Sequence, residues 1–310
     1  MVVTQQKNIT KAKPFLKWAG GKTQLLPTIK QNLPLAALEG GTIKKYVEPF
    51  VGSGAVLFEI MSAFPQIEEA DIYDINPELI NVYKSIQYNV EELVEILHAY
   101  EDKYIPMGQE ERKLFYYAIR KEFNNDLDFI ERDYYPNIKR AAQFIFLNRT
   151  CFNGLYRVNK KGEYNVPMGQ YKNPTICNEP VLIAANAFLK KVRIHLDDYR
   201  ESQHLIDEST FVYLDPPYRP ISKSSSFTSY SKFDFNDTNQ IELRDYFKIL
   251  DKKNAYVMLS NSDPKNNDIS DNFFDNLYEE FHIQRVNASR RINSKASNRG
   301  EITELLIKNY

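Results

Sequence analysis

The stretch Lys45–Asp74, KYVEPFVGSGAVLFEIMSAFPQIEEADIYD, decides the fold. It opens with a short β-type run, Lys45–Phe50, and turns at Val51-Gly52-Ser53-Gly54-Ala55. AVLFEIMSAF follows with its apolar residues at helical spacing, and Ala70–Ile75 (ADIYDI) reads as a second strand. Strand, glycine turn, helix and strand within about 30 residues form a βαβ unit, which requires a parallel sheet covered by helices. Asn76-Pro77 then opens another helix, PELINVYKSIQYNV.

Glycines at the turn allow a ligand close to the backbone and start a helix whose N-terminus is electropositive. A dinucleotide fingerprint would place a third glycine at position 57, where this chain has Leu57. Asp74 stands twenty residues beyond Gly54, at the end of the next strand, where a carboxylate accepts hydrogen bonds from ribose hydroxyls. A Gly-x-Gly alone reads equally as a plain tight turn. Together with the strand order and the acid it indicates a nucleoside-containing ligand. The missing glycine disfavours NAD and leaves room for S-adenosylmethionine, which has no pyrophosphate to cradle.

Further along, the texture changes. From about Val90 to Thr150, EELVEILHAYEDKY, ERKLFYYAIRKEF and NIKRAAQFIFLNRT are amphipathic helical patterns with no strand between them. CFNGLYRVNKKGEYNVPMGQYKNP, rich in Gly, Asn, Pro and aromatics, reads as a hairpin or ordered loop. Strand signals return at KVRIHL, TFVYLD, AYVMLS and ITELLIKNY. The pattern predicts an α/β domain formed discontinuously by residues 1–84 and 181–310. A mostly helical domain, 85–180, interrupts it and carries a hairpin at 151–172.

Composition sets the outer limits. With 21 Tyr and 19 Phe in 310 residues, the chain is too aromatic to stay disordered. A mean hydropathy of −0.51, with every apolar run interrupted, excludes a spanning helix. MVVTQQKNITKAK has no apolar core of a secretory signal, so a cytoplasmic protein, away from membranes, is expected. Cys151 and Cys177 cannot build a disulfide framework, and they and the four histidines, at unrelated spacings, give no metal site. A formal net charge of −1 confines any nucleic-acid surface to a local patch.

Two further motifs carry chemistry. In Phe15–Lys22, FLKWAGGK, a phosphate loop would need glycine where Leu16 stands, so that reading fails. A glycine turn before a helix with an incidental Lys22 is the plain alternative, but Trp18, the sole tryptophan, suits a ring packed on a ligand. Asp215-Pro216-Pro217-Tyr218 directly follows the apolar strand Phe211–Leu214. Neither proline can donate to a ladder, so they end the strand in a rigid turn at the edge where parallel sheets bind ligands. A carboxylate, a prolyl carbonyl and an aromatic ring in four residues suit a planar amine: two oxygens accept from the NH2 and the ring stacks on the base. A mere strand-ending turn is the alternative.

FLKWAGGK, EPFVGSGA and a distant DPPY, in that order, resemble the Dam-type DNA N6-adenine methyltransferases (D12 class). LNRTCFNGLYRVNKKGEYNVPMGQYKNP is similar to the recognition hairpin of the GATC-methylating members, including those paired with GATC-cutting restriction enzymes, and FTSY and YVMLSNS also fit. The resemblance implies a Rossmann-like S-adenosylmethionine-dependent methyltransferase sheet with an inserted DNA-recognition domain. It implies that Trp18, Lys22, Asp74 and Asp215 contact S-adenosylmethionine, with Glu48, Pro49, Phe50, Gly52 and Gly54 lining that pocket. Asp198 and Tyr199 would approach the cofactor's adenine. In the hairpin, Arg157 would read guanine, with Asn153, Pro167 and Tyr171 at neighbouring bases and Phe152 wedged into the stack. Met168-Gly169-Gln170 departs from the relatives, which commonly carry an aromatic first and a basic residue third.

Charge supports a nucleic-acid surface independently of the resemblance. Lys139–Lys172 holds seven Lys/Arg against Glu163, a local +6, and Arg285–Arg299 holds five with no acid. Such runs, interleaved with Asn, Tyr and Phe, suit phosphate positioning and base readout, and Arg157 suits bidentate pairing with guanine. A solvated surface loop is the alternative for each stretch. The expected reaction is methyl transfer to adenine N6 in double-stranded DNA, within GATC, leaving S-adenosylhomocysteine. The base flips out, Asp215 and the Pro216 carbonyl hold its NH2, and Tyr218 stacks on its ring. Ser222–Phe235 would be a mobile loop that orders on DNA, and the enzyme a metal-free monomer. Methylation of another DNA sequence or of RNA, and a non-catalytic DNA- or nucleotide-binding module, are the competing readings.

Overall fold

The computed structural model describes residues 11–125, 136–219, 235–289 and 301–310. FTSY, nearly all of Ser222–Phe235 and most of Arg285–Arg299 therefore lie outside the described residues. Two compact units emerge: Met1–Ala19 with Pro77–Val192, and Gly20–Asn76 with Arg193–Tyr310. From sequence the boundaries fall at 84 and 180; in the structure they fall at 19, 76 and 192, so the stretch up to Ala19, expected in the sheet domain, groups with the helical unit. Residues 77–84 stay with the helical unit because they are the first turns of a helix that runs on to Tyr104.

The second unit is built on a sheet of seven strands. These are β1 (Lys45–Glu48), β2 (Glu69–Asp74), β3 (Val192–Leu196), β4 (Thr210–Leu214), β5 (Tyr256–Ser262), β6 (His282–Ser289) and β7 (Glu301–Lys308). Their order is β3-β2-β1-β4-β5-β7-β6. β1 pairs in parallel with β2 and β4, and β4 with β5, while β7 runs antiparallel between β5 and β6. This mostly parallel mixed sheet is the Rossmann-like methyltransferase architecture expected. The central strand β4 is buried throughout, as its unbroken TFVYL requires, and β1 is buried from Tyr46 to Glu48. β6 was not foreseen. Its charged and polar residues, HIQRVNAS, match an edge strand better than a core one, and from Arg285 onward the segment reads in sequence only as a basic run.

Helices α1 (Leu26–Gln31), α2 (Leu35–Glu39) and α3 (Ala55–Ala63) belong to this unit, as do two later ones named below. The chain order places β2 on one side of β1 and β4 on the other, so the switch point lies at β1. In open α/β sheets the ligand crevice lies at the carboxyl ends of the strands at such a point.

The first unit is helical: α4 (Pro77–Tyr104), α5 (Gln109–Asn124), α6 (Ile138–Thr150) and α7 (Glu179–Leu189). Asn89 leaves helical geometry (φ −138°, ψ 38°) and breaks α4 into two runs, matching the change of texture in the sequence near Val90. Arg140 on α6 is buried, with its guanidinium on Glu78 and against the Phe123 ring. The second unit is completed by α8 (Asp237–Lys252) and α9 (Phe273–Leu277). No described helix is long and apolar enough to cross a membrane.

Candidate active site

Three adjacent strands of the sheet unit end in a carboxylate. β1 ends at Glu48, β2 at Asp74, and β4 runs directly into Asp215. The turn after β1 carries the glycines anticipated. Gly52 (φ +48°) and Gly54 (φ +71°) both sit in the left-handed region, and Gly54 caps α3. The Val51 amide donates to the Tyr73 carbonyl at 3.0 Å and the Gly52 amide to Asp74 Oδ2 at 3.3 Å, so the turn is folded onto the end of β2. Asp74 Oδ1 accepts from the Asn76 amide at 2.9 Å. Burial pushes the Asp74 carboxyl up to about 6, against the pull of these amides.

Glu48 is buried and accepts from the Tyr46 hydroxyl at 2.7 Å. Burial pushes its carboxyl well above the usual carboxylate range, and the nearby Asp215 charge adds to that. Asp215 is gripped by Lys22, whose Nζ lies 2.7 Å from Oδ1 and 2.8 Å from Oδ2, and by the Ser260 hydroxyl at 3.1 Å. Burial raises the Asp215 carboxyl and Lys22 opposes the rise. Lys22 is itself buried. It also donates to the Gly20 carbonyl at 2.8 Å and stands 4.9 Å over the Tyr218 ring. Lys22 is thus no incidental cation.

The DPPY turn is held at several points. Tyr218 donates its hydroxyl to Glu304 Oε2 at 2.8 Å, and the Pro217 carbonyl accepts from Gln240 at 3.2 Å. Gln240 in turn accepts from Asn261 at 3.2 Å. Among the described residues nothing donates to the Pro216 carbonyl. The turn therefore brings together a carboxylate, a carbonyl with no donor among the described residues, and an aromatic ring. Ser260, Asn261 and Glu304 were not singled out from sequence. Ser260 and Asn261 sit in the YVMLSNS strand, where polar residues at the end of an apolar run were the available signal.

Phe50 stacks on Tyr199 (centroids 5.2 Å, 30°), and Tyr246 packs edge-on to Tyr199 at 5.1 Å. The buried Tyr199 hydroxyl has no hydrogen-bond partner among the described residues. Asp198 caps the short helix Tyr199–Leu205 and binds the Arg200 guanidinium at 2.7 Å. Tyr199, just beyond the end of β3, is thus beside Phe50, and Asp198 precedes it in the chain.

The remaining candidates belong to the helical unit. Trp18 stacks on Tyr156 (5.8 Å, 18°) and packs near Phe144. Asn148, another residue not anticipated, ties the FLKW segment to the loop after α6. It exchanges two hydrogen bonds with the Lys17 backbone (2.9 and 2.8 Å) and donates to the Gly154 carbonyl at 3.0 Å. Gly154 (φ +65°) has no room for a side chain, since a Cβ would lie 2.5 Å from Lys17.

The predicted hairpin at 151–172 is an irregular loop pinned by two isolated antiparallel bridges, Cys151–Met168 and Val158–Tyr164. Phe152, Asn153, Arg157 and Pro167 are exposed on it. The Phe152 amide donates to the Pro167 carbonyl at 2.9 Å, so these two exposed residues are neighbours. Tyr171 is half-buried under Lys17 Nζ, 4.1 Å from its ring. The basic run is smaller at the surface than its +6 suggests. Arg140 is spent on Glu78, Lys139 pairs with Glu122 and Arg149 donates to the Phe15 carbonyl, which leaves Arg157, Lys160, Lys161 and Lys172 exposed. In the second run Arg285 is committed to Asp263 and Asp275.

Comparison with known proteins agrees with this arrangement. The description of the D12 class N6 adenine-specific DNA methyltransferases matches residues 18–292. The type II methyltransferase M.MjaIII of Methanocaldococcus jannaschii is 49% identical over 302 residues, covering 96% of this chain and 99% of its own. The type II methyltransferase M1.LlaDCHI of Lactococcus lactis subsp. cremoris is 38% identical, covering 98% of each chain. The DNA adenine methylase of Escherichia coli K12 is 32% identical, covering 96% of this chain and 95% of its own. With a matching description from Trp18 past Arg291, through the DPPY turn and the loop, the chain belongs to the D12 class of N6 adenine-specific DNA methyltransferases.

Proposed function

We propose that this DNA adenine N6-methyltransferase takes its methyl group from S-adenosylmethionine, acts on double-stranded DNA within GATC, and turns the target adenine out of the duplex. The observation that carries the reading is the DPPY turn: the Asp215 carboxylate bonded by Ser260, a Pro216 carbonyl with no donor among the described residues, and the Tyr218 ring tethered through its hydroxyl to Glu304, with Gln240 bonding the Pro217 carbonyl.

The residues at the strand ends fit the cofactor. Asp74 is an acceptor for ribose hydroxyls at the end of β2, Gly52 and Gly54 keep the turn free of side chains, and Phe50 beside Tyr199 offers an aromatic wall for an adenine. The oxygens of Glu48 and Asp215 at the strand ends offer the partial negative charge a sulfonium requires. When bound, the cofactor supplies an electrophilic methyl group, and the product is S-adenosylhomocysteine. Trp18 is assigned to the cofactor by resemblance alone.

The adenine amino group is a poor nucleophile because its lone pair is delocalised into the ring. Hydrogen bonds from N6 to Asp215 and to the Pro216 carbonyl favour a tetrahedral nitrogen and aim the lone pair at the methyl group. Lys22 holds Asp215 in the structure, and the carboxylate, with about four acceptor sites, can take the amine's hydrogen bond while that pair is kept. The new bond is N6–CH3, the broken one is S–CH3, and Asp215, raised by burial, takes the proton that N6 sheds. An adenine inside a duplex cannot reach such a site, and extruding it costs a few kcal/mol, part of which Tyr218 returns by stacking.

Arg157, with Asn153, Pro167, Tyr171 and Phe152, is proposed to read the flanking bases. Mapping the methylated base in plasmid DNA made with this chain tests the whole reading. N6-methyladenine at every GATC and nowhere else is expected. Methylation at another sequence would refute the GATC assignment while leaving the transfer chemistry intact.

A further inference from the structure

The exposed base-reading residues sit on a loop with almost no ladder of its own, yet its backbone is fixed, and the fixing comes from one face of α5. Arg112, Tyr116, Arg120 and Asn124 recur every fourth residue, which places them in a row along that helix. Every one of them hydrogen-bonds loop backbone. Asn124 donates to the Tyr164 carbonyl at 3.0 Å and accepts from the Tyr164 amide at 2.8 Å, as a strand partner would. Tyr116 and Arg120 both donate to the Val166 carbonyl, at 2.8 and 3.1 Å. Arg112 donates to the carbonyls of Tyr171 and Lys172, at 3.2 and 2.7 Å.

Between Tyr164 and Val166 lies Asn165, and Asn165 is what holds Arg157. The Asn165 amide donates to the Arg157 carbonyl at 3.0 Å, and Arg157 Nε donates to Asn165 Oδ1 at 2.7 Å. Pro167 follows directly. A continuous path of hydrogen bonds thus runs from α5 through Tyr164–Val166 to the guanidinium.

We infer that this α5 row is a positioning device for sequence readout: it sets which site is methylated by fixing the loop backbone, and it acts through Arg157 and Pro167. The inference rests on the proposed reading that this loop reads bases. A side chain that reads base edges discriminates only if its approach is fixed, because a mobile guanidinium finds an acceptor on more than one base pair.

The test uses the full chain and duplexes carrying the mapped site or single base-pair changes in it. Tyr116→Phe with Arg120→Met removes both donors to the Val166 carbonyl while keeping the buried ring. Discrimination in kcat/KM should fall about five- to tenfold, the scale of one or two lost hydrogen bonds. The loss should appear as a raised KM for the cognate duplex, with kcat at saturation and the cofactor Kd unchanged. Tyr116→Phe with Arg120→Lys keeps one donor and should recover most of the discrimination. If the double variant is too unstable to purify, Tyr116→Phe alone should show the same split at smaller size. Unchanged discrimination, or an equal fall in kcat and cofactor affinity, overturns the inference. Arg157→Ala separates the two levels. If it relaxes selectivity while the α5 variants do not, only this inference fails; if it relaxes nothing, the base-reading assignment fails and this inference falls with it.

Discussion

The DPPY turn and the loop 151–172 both present polar groups outward, but they are held in opposite ways. At the turn the support is charged and buried: Lys22 on Asp215. At the loop the reading residues, Tyr171 apart, stand in solvent and their supports, mostly from α5, grip the main chain rather than the readers. The difference follows from the two tasks. Chemistry on a weak nucleophile gains from desolvated charge, since electrostatic interactions strengthen as water is excluded, and the cost of burying Asp215 is offset by its partner. Base readout requires the guanidinium to arrive in the groove with its donors uncommitted, and among the described residues only one nitrogen of Arg157 is tied, to Asn165. One region keeps its charge paired; the other keeps its backbone bonded and its tips exposed.

The sharpest break of this contrast is Asp215→Ala. It removes the acceptor at the reacting nitrogen and leaves Lys22 buried without its carboxylate partner. Methyl transfer should fall by a factor of about 10² or more, while binding to duplex DNA changes little. Radiolabelled transfer alongside a gel-shift measurement checks both halves. Turnover near that of the unaltered enzyme would remove Asp215 from the chemistry altogether.

Arg157→Ala should act on the other region and by less. Losing a bidentate guanine contact costs about 1–3 kcal/mol at one base pair and leaves the rest of the site as selective as before. Comparing kcat/KM on the cognate duplex with duplexes changed at each position locates the loss. Equal weakening on cognate and random DNA would mean that Arg157 meets phosphate, and the split between a charged turn and an uncommitted reading loop would disappear.

The sheet was legible because its signals are local. The βαβ pattern around Gly52 and Gly54, and the prolines that stop β4, depend on neighbouring residues and survive without a three-dimensional context. β6 was hidden because an edge strand needs no apolar run, and its single buried side chain among those described, Val286, is too little to mark it. The site was half legible. Asp215 and Tyr218 announce themselves by adjacency, but Ser260, Glu304 and Gln240 come from later elements, and only strand order brings them to the turn. Charge counting misjudged the basic patch for a related reason. Arg140 and Arg149 lie on the inward side of α6, and the sequence of an amphipathic helix does not say that a cation on its buried face has found Glu78 or the Phe15 carbonyl.

The smallest predicted effect concerns Asp74, which lies between the two regimes: a carboxylate at a strand end, partly buried, held by amides and with no cation paired to it among the described residues. Burial lifts its carboxyl to about 6, above the value of 3.8 it would have unfolded. The free protein therefore takes up a proton here as the pH falls through 6, and the contribution of this group to folding stability rises between pH 6 and 4. Cofactor binding runs the other way. Ribose hydroxyls bond more strongly to the ionised acceptor, since charge-assisted hydrogen bonds are about twice as strong as neutral ones. The cofactor Kd, followed by calorimetry, should rise several-fold from pH 7.5 to 5, and Asp74→Asn should bind more weakly at pH 7.5 with that dependence flattened. A slope that persists in Asp74→Asn would assign the titration to Glu48 or Asp215, and the paired charge at the turn, rather than the strand-end carboxylate, would then govern cofactor affinity.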